Sequence, residues 1–435
     1  MVKCAFAGTA CAFDRTARRA STNIPQHGLV PGQLLSIAHA SRVLSGNSAP
    51  FRIAFASPSR ITRHFHALDV LAFDLARWKY ILPVIDTEEK LAGFLSRIEQ
   101  ATWVAVDTEA DSLHAYPEKV CLIQISTVAG DELIDPLARV DLGRLLEALA
   151  DHELIMHGAD YDLRLLCKHH RFVPSTIFDT MLAARLLGLR QFSLSNLVEQ
   201  YLDVKLEKGA QKANWALRPL TERLERYARN DTHYLKPLAD RLRAELETKA
   251  RLAWHQEFCA SLVLECAIAR SPDLDSVWRV KGSHLLGRSG LAVLRELWRW
   301  REEEAVAANK PPFFVVSHEV LVAIAAAAVT EKPVDPLVPR HLSERRREGL
   351  RKALARGMAL SPEGHPEILR TSGRRPNEPE RLRFVELQKL RDARAVELQI
   401  DPTLIASRAT LSDLAHDWDK HESELMNWQR ELLKK

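Results

Sequence analysis

WVAVDTE (residues 103–109) is the stretch on which the reading of this 435-residue chain turns. Its β-branched and aromatic residues fit a strand, and two acids close it. Asp107 and Glu109 stand two apart, so the two-residue period of a strand sends both side chains to one face. At about 4 Å and an effective dielectric near 20, such a like-charge pair repels by about 4 kcal/mol. A divalent cation removes that penalty, and hard oxygen ligands suit Mg²⁺ or Mn²⁺. Taken alone, a DxE at a strand–loop junction is also a common surface feature.

Upstream, TEEKLAGFLSRI (87–98) reads as an N-capped amphipathic helix, with Leu91, Phe94, Leu95 and Ile98 at helical spacing. Downstream, VCLIQIS (120–126), ELIDP (132–136) and LIMHG (154–158) read as strands, with a helix at about 141–150 and another beginning near Asp160. Helices are predicted over 178–187, 193–201 and 221–247. Strands first, then alternating strand and helix, indicate a mixed sheet flanked by helices. Beyond about 250 the strand signals stop, and the rest reads as all-helical with Pro- and Gly-marked breaks.

Residues 1–80 differ in texture. Up to position 68 there are eight Lys or Arg and a single acid, Asp14. This fits a non-folded extension or an organellar transit peptide. The six cysteines (4, 11, 121, 167, 259 and 266) form no CxxC, which supports neither a zinc site nor a disulfide framework and fits a reducing cytoplasm. No apolar run reaches the length of a membrane span. The net charge of +4 is compatible with nucleic acid without requiring it. The segment 340–356 carries seven Arg or Lys against two Glu, either a solvated helix face or a phosphate-contacting one.

Three further residues carry candidate chemistry. Asp162, in HGADYDLRLL (157–166), falls in the first turn of a helix at the end of a strand, where the helix N-terminus favours negative charge. Asp160 is the better candidate for the helix cap and Asp162 for a ligand. Tyr227 and Asp231, in YARNDTHYL (227–235), are four apart and share a helix face, so the phenol could orient a water beside the carboxylate.

In this order VDTEAD (106–111), CLIQIS (121–126), HGADYDL (157–163), FDT (178–180), WALRPLT (215–221) and YARNDTHYL resemble the DEDDy exonucleases, and within them the ribonuclease D group. The resemblance implies an α/β ribonuclease H-like exonuclease domain with a mixed sheet. It implies two metal ions, Mg²⁺ or Mn²⁺, held by Asp107, Glu109, Asp162 and Asp231, and a water positioned by Tyr227. Further on, 285–325 resembles an HRDC domain and 382–415 a more divergent copy, so all-α HRDC-like helical domains are expected. The expected division is a poorly ordered 1–80, an exonuclease domain over 81–250, an HRDC domain over 275–360 and a second copy over 375–435.

The resemblance also implies a 3′→5′ exoribonuclease releasing nucleoside 5′-monophosphates, with RNA as partner, precursor tRNA foremost; separately, no membrane partner and a monomer are expected. The five site residues alone would serve DNA equally, and a catalytically silent nucleic-acid-binding module is the other alternative. Candidate RNA contacts are Lys205, Lys208 and Lys212 for phosphates and Trp215 for base stacking. Gln124 and His157 are carried as further RNA-contact candidates, although they and Asp179 also fit structural roles.

Overall fold

The computed structural model describes residues 83–434 apart from 208, 269–272, 274 and 370–374. The expected extension 1–80, Cys4, Cys11 and Lys208 lie outside the described residues.

The first helix, α1 (Glu88–Glu99), is capped by Thr87 and buries Leu91, Phe94, Leu95 and Ile98. Strands β1 (Val104–Ala110), β2 (Val120–Thr127) and β3 (Gly130–Ile134) form an antiparallel meander. Helix α2 (Gly143–Ala150) leads to β4 (Glu153–Met156), and α3 (Asp160–His170) leads to β5 (Thr176–Asp179). These two strands run parallel to β1, so the sheet order is β3-β2-β1-β4-β5 and the sheet is mixed. Helices α4 (Thr180–Leu186), α5 (Leu194–Leu202), α6 (Glu222–His233), α7 (Leu235–Thr248) and α8 (Leu252–Ala267) complete the layers.

Strand alternation sorts the two faces. Val104 and Val106 join Phe94, Leu145, Leu163 and Ile125 on one side, under α1, α2, α3 and α8. Ala105 joins Phe178, Leu238 and Leu242 on the other. All eight residues of β2 are buried, as a strand covered on both faces must be. The packing continues past residue 250, because Cys259 and Val263 of α8 lie in the first core.

Two expectations are corrected here. Thr176–Asp179 is a strand, where a helix was expected from 178; a four-residue strand leaves no readable period. The helix expected over 221–247 breaks at Tyr234. Pro237 has no N–H to give the carbonyl of residue 233, and its ring obstructs that carbonyl.

The helical half contains α9 (Arg288–Ala308), α10 (Pro312–Val315), α11 (His318–Val329) and α12 (Glu344–Met358), followed by α13 (Glu378–Leu398), α14 (Pro402–Ile405), α15 (Arg408–His416), α16 (Trp418–His421) and α17 (Asn427–Leu433). It holds an internal repeat at one constant offset. Two helices of 21 residues each end on a left-handed residue, Asn309 and Gln399. Each is followed by a four-residue helix opening on Pro312 or Pro402, then by a helix capped by Ser317 or Ser407. Within the repeat Arg301 grips Glu302 just as Arg391 grips Asp392.

The two copies are seated differently. The first packs mainly on its own cluster, including Leu294, Leu297, Trp300, Ile324 and Leu350. The second shares a core with the helices packed on the sheet, where Leu404, Ile405 and Trp428 meet Leu186 and Leu238. Trp254 stacks on Trp428 at 4.9 Å, and Arg251 donates to the carbonyls of both Leu186 and Leu398 at 2.7 Å. Gly188, at φ +85°, lies so close to Gln399 that a Cβ would come within 2.0 Å of its carbonyl oxygen. No helix among the described residues is long and apolar enough to cross a membrane.

Candidate active site

β1 presents Asp107 and Glu109 to the face covered by α6, and Thr108 points the other way, towards α3. Helix α6 is fixed on this face by its own polar side chains. Ser126 Oγ donates to Thr232 Oγ1 at 2.8 Å, His233 Nδ1 lies 2.7 Å from Asp131 Oδ2, and Ala228 is fully buried. This seating swings Asp231 over the end of β1. One carboxylate oxygen each from Asp107, Glu109 and Asp231 lies within 4.8 Å of the others. Asp162 arrives from α3 on the opposite side, where its Oδ1 accepts from the Thr108 hydroxyl. Tyr227 sits one turn before Asp231, and its ring is 6.1 Å from that of Trp215.

The electrostatics are those of a site short of positive charge. Among the described residues, no Lys or Arg forms an ion pair with any of these four acids. Burial, then the charges of Asp162, Asp231 and Glu109, hold the Asp107 carboxyl well above the usual carboxylate range. Burial, then Asp231 and Asp162, push Glu109 up to about 9. Burial and Asp162 push Asp231 up to about 8. Asp162 rises only to about 6, because burial is opposed by hydrogen bonds from Thr108 and the backbone. The Tyr227 phenol is raised by burial and by the nearby carboxylates, and therefore stays protonated. Like charges at about 4.8 Å cost about 3.5 kcal/mol per pair at an effective dielectric near 20. An all-oxygen, anionic donor set of this kind fits a hard divalent cation such as Mg²⁺ or Mn²⁺.

The acids open into a cavity of about 240 Å³ whose mouth is lined by Ser112, Leu113, Tyr161, Gln211 and Ala213. Leu113 and Tyr161 are 45% and 48% exposed, which leaves an apolar and aromatic surface beside the carboxylates.

Several expected contacts are placed otherwise. Trp215 is fully buried beside Leu122, Leu133 and Ala228, so it cannot stack on a base; it backs the Tyr227 ring. Gln124 is fully buried opposite Asp107 in the β1–β2 ladder, which keeps its amide from reaching RNA. His157 is not among the cavity-lining residues. Its Nδ1 lies 2.9 Å from Thr180 Oγ1, which ties it into the β4–α3 turn, and burial lowers its pKa. Lys205 and Lys212 are exposed, Lys205 being 3.6 Å from Glu199.

Asp160 does not cap α3. The cap position is Ala159, and the Asp160 carboxylate instead accepts from Arg164. Asp179 fastens the turn, accepting from the N–H groups of Gly158, Ala159, Met181 and Leu182 at 2.8–3.1 Å. The basic segment 340–356 is largely neutralised. Arg345 and Arg346 pair with Glu304, Arg351 with Glu344, Lys352 with Glu348 and Arg356 with Glu296. Thr108, Tyr161, Leu113 and Gln211 carried no signal of their own in the sequence, beyond the closeness of the first two to an acid.

Residues 82–247 match the family model of a 3′-5′ exonuclease, and residues 290–332 match that of an HRDC domain. A ribonuclease D from Gluconacetobacter diazotrophicus is 30% identical over 360 residues, 80% of this chain and 90% of that protein. One from Desulfotalea psychrophila is 29% identical over 81% of this chain and 96% of its own length. The solved structure of Escherichia coli RNase D, described as an exoribonuclease involved in structured RNA processing, superposes with a TM-score of 0.65 at 24% identity. That match covers 81% of this chain and 98% of the other, and supports the fold.

Proposed function

The chain belongs to the ribonuclease D family, and from that premise we propose that it is a metal-dependent 3′→5′ exoribonuclease working at the Asp107–Glu109–Asp162–Asp231 cluster. The observation that carries the site assignment is the trio of acids with oxygens within 4.8 Å of one another and no protein cation among the described residues to neutralise them.

In our reading the four carboxylates hold two divalent cations. When bound, these supply a water of lowered pKa and stabilisation of the leaving 3′ oxygen. The chain's own groups do the positioning. Thr108 fixes the rotamer of Asp162 through its hydroxyl. The protonated Tyr227 phenol, backed by Trp215, holds the attacking water by a hydrogen bond. Leu113 and Tyr161 give the last nucleoside an apolar wall, and the product is a nucleoside 5′-monophosphate.

The repeat in the helical half supports reading 375–435 as a second, divergent HRDC copy beside the one expected over 275–360. Precursor tRNA is the proposed substrate, acted on by a monomer. A cytoplasmic location agrees with the free thiols of the four described cysteines.

The test is a 5′-labelled RNA with a 3′ extension. With Mg²⁺ or Mn²⁺ it should shorten from the 3′ end and release nucleoside 5′-monophosphates. EDTA should stop the reaction. Internal fragments, or turnover that survives thorough chelation, would overturn the reading, and a panel of tRNA precursors and unrelated RNAs run alongside tests the substrate.

A further inference from the structure

Apart from Tyr161 of α3, the cavity mouth is built from chain without regular structure. Residues 111–119 leave β1 directly after the acids, contribute Ser112 and Leu113 to the lining, and return into β2. The base of this loop is closed by Asp111, which is fully buried. It accepts from the Lys119 N–H at 2.8 Å and pairs with the Lys119 ammonium at 2.6 Å. The opposite rim, at 211–213, is joined to the loop at His114, whose Nε2 lies 3.0 Å from the Lys212 carbonyl.

The tip of the loop rests on the first helical domain. The Tyr116 hydroxyl donates to Glu302 Oε2 at 2.6 Å, and the Tyr116 N–H donates to Asn309 Oδ1 at 3.3 Å. Its ring packs against the α9–α12 cluster. Glu302 is itself held by Arg301, which is buried and donates to Glu302 Oε1 twice, at 2.7 and 3.1 Å. In the second copy, Asp392 occupies the matching place and is held by Arg391 in the same way. Among the described residues, Asp392 takes no hydrogen bond from the exonuclease layer, so this contact belongs to the first copy.

We propose that Tyr116, Glu302 and Asn309 form a clamp through which the first helical domain positions the mouth of the carboxylate cavity, so that this domain governs turnover even of an RNA too short to touch it. A domain that only held the RNA body would leave such a substrate unaffected. Tyr116 is a positioning residue: it is not among the residues that line the cavity, and it acts through Ser112 and Leu113. The proposal rests on the exoribonuclease reading.

The test uses the full chain carrying Tyr116→Phe, Asn309→Gly (which keeps the left-handed helix end), Glu302→Ala, and the Tyr116→Phe/Glu302→Ala pair. Two readouts are taken with Mg²⁺: kcat and KM on a trinucleotide, and hydrogen exchange of the amides of 112–116. Unfolding midpoints report any loss of folding separately. Tyr116→Phe should lower kcat/KM on the trinucleotide by about tenfold, the scale of a lost hydrogen bond to a charged group. Exchange at 112–116 should speed up in every variant, and the pair should lose no more than about twofold beyond its worse single change. Trinucleotide kinetics within about twofold of the parent, unchanged exchange, or single losses that simply multiply would each overturn the clamp. If the parent leaves every RNA intact, the exoribonuclease reading fails, and the exchange data decide the clamp by themselves.

Discussion

Glu304 of α9 and Glu109 of β1 are both acids drawn back from water, but their surroundings differ. Glu304 receives Arg345 and Arg346 at 2.9 and 3.1 Å, and along the same helix Glu296 receives Arg299 and Arg356. Glu109 faces Asp231 and Asp107 with no protein cation in reach among the described residues, and its pKa rises to about 9. The buried acids Glu296 and Glu304 thus meet their counter-charge within the helical half itself. At the end of β1, the central strand, the counter-charge must come from outside. A cluster kept in that condition is arranged for a ligand, since structural acids are ordinarily paired.

The sharpest way to break this contrast is to neutralise one acid in the cluster. Asp107→Asn or Asp162→Asn should lower the rate of 3′ trimming by at least about 10³-fold, several kcal/mol of lost charge stabilisation, with the fold retained. Steady-state rates on a 3′-extended RNA, read beside circular dichroism, decide it; parental activity in either variant would remove that residue from the site. A smaller effect is expected at the phenol. Tyr227→Phe should slow hydrolysis by about 10²-fold at saturating RNA, the range of lost positioned acid–base help. A loss under about tenfold would leave Tyr227 a packing residue against Trp215.

The smallest effect concerns stability. The pKa values of Glu109, Asp231 and Asp162 are raised on folding, so the folded state holds those protons more tightly than the unfolded chain. Their contribution is fully present below the unfolded carboxylate range and is lost as pH rises through about 6, 8 and 9. Metal-free chain should therefore show an unfolding midpoint that falls across this window, and Mg²⁺ should restore it at the upper end. Glu296→Gln should lower the midpoint by an equal amount throughout the window. Its cost is about 1 kcal/mol, because both arginines stay half in water. A flat metal-free profile, or a sloping one for the Glu296 contribution, would erase the distinction between the two kinds of acid.

The second comparison lies inside the helical half, where one architecture is used twice. The copy at 288–329 touches the exonuclease layer through a polar clamp at Tyr116, whereas the copy at 378–416 shares a hydrophobic core with it. A core that continuous opens only with the whole layer, while a contact of one ring and a few hydrogen bonds can be broken alone.

Periodicity and spacing determined a good deal by themselves. The strand alternation at 103–109 put Asp107 and Glu109 on one face, and the four-residue step from Tyr227 to Asp231 put both on one helix face. The Thr87 cap with its run of apolar residues fixed the first helix. These are local properties, settled within a turn or a few residues of chain. Tertiary structure decided what depends on partners far along the chain. Trp215 looks like a free stacking platform in a polar loop, and only the closing of α6 over the sheet buries it. The cap of the β4–α3 turn comes from Asp179, at the far end of β5, and not from the neighbouring Asp160. The bond from Tyr116 to Glu302 spans 186 residues. A sequence states which groups are available and at what local spacing. Which of them meet is set by the packing of layers, because burial and hydrogen-bond satisfaction are properties of the assembled whole.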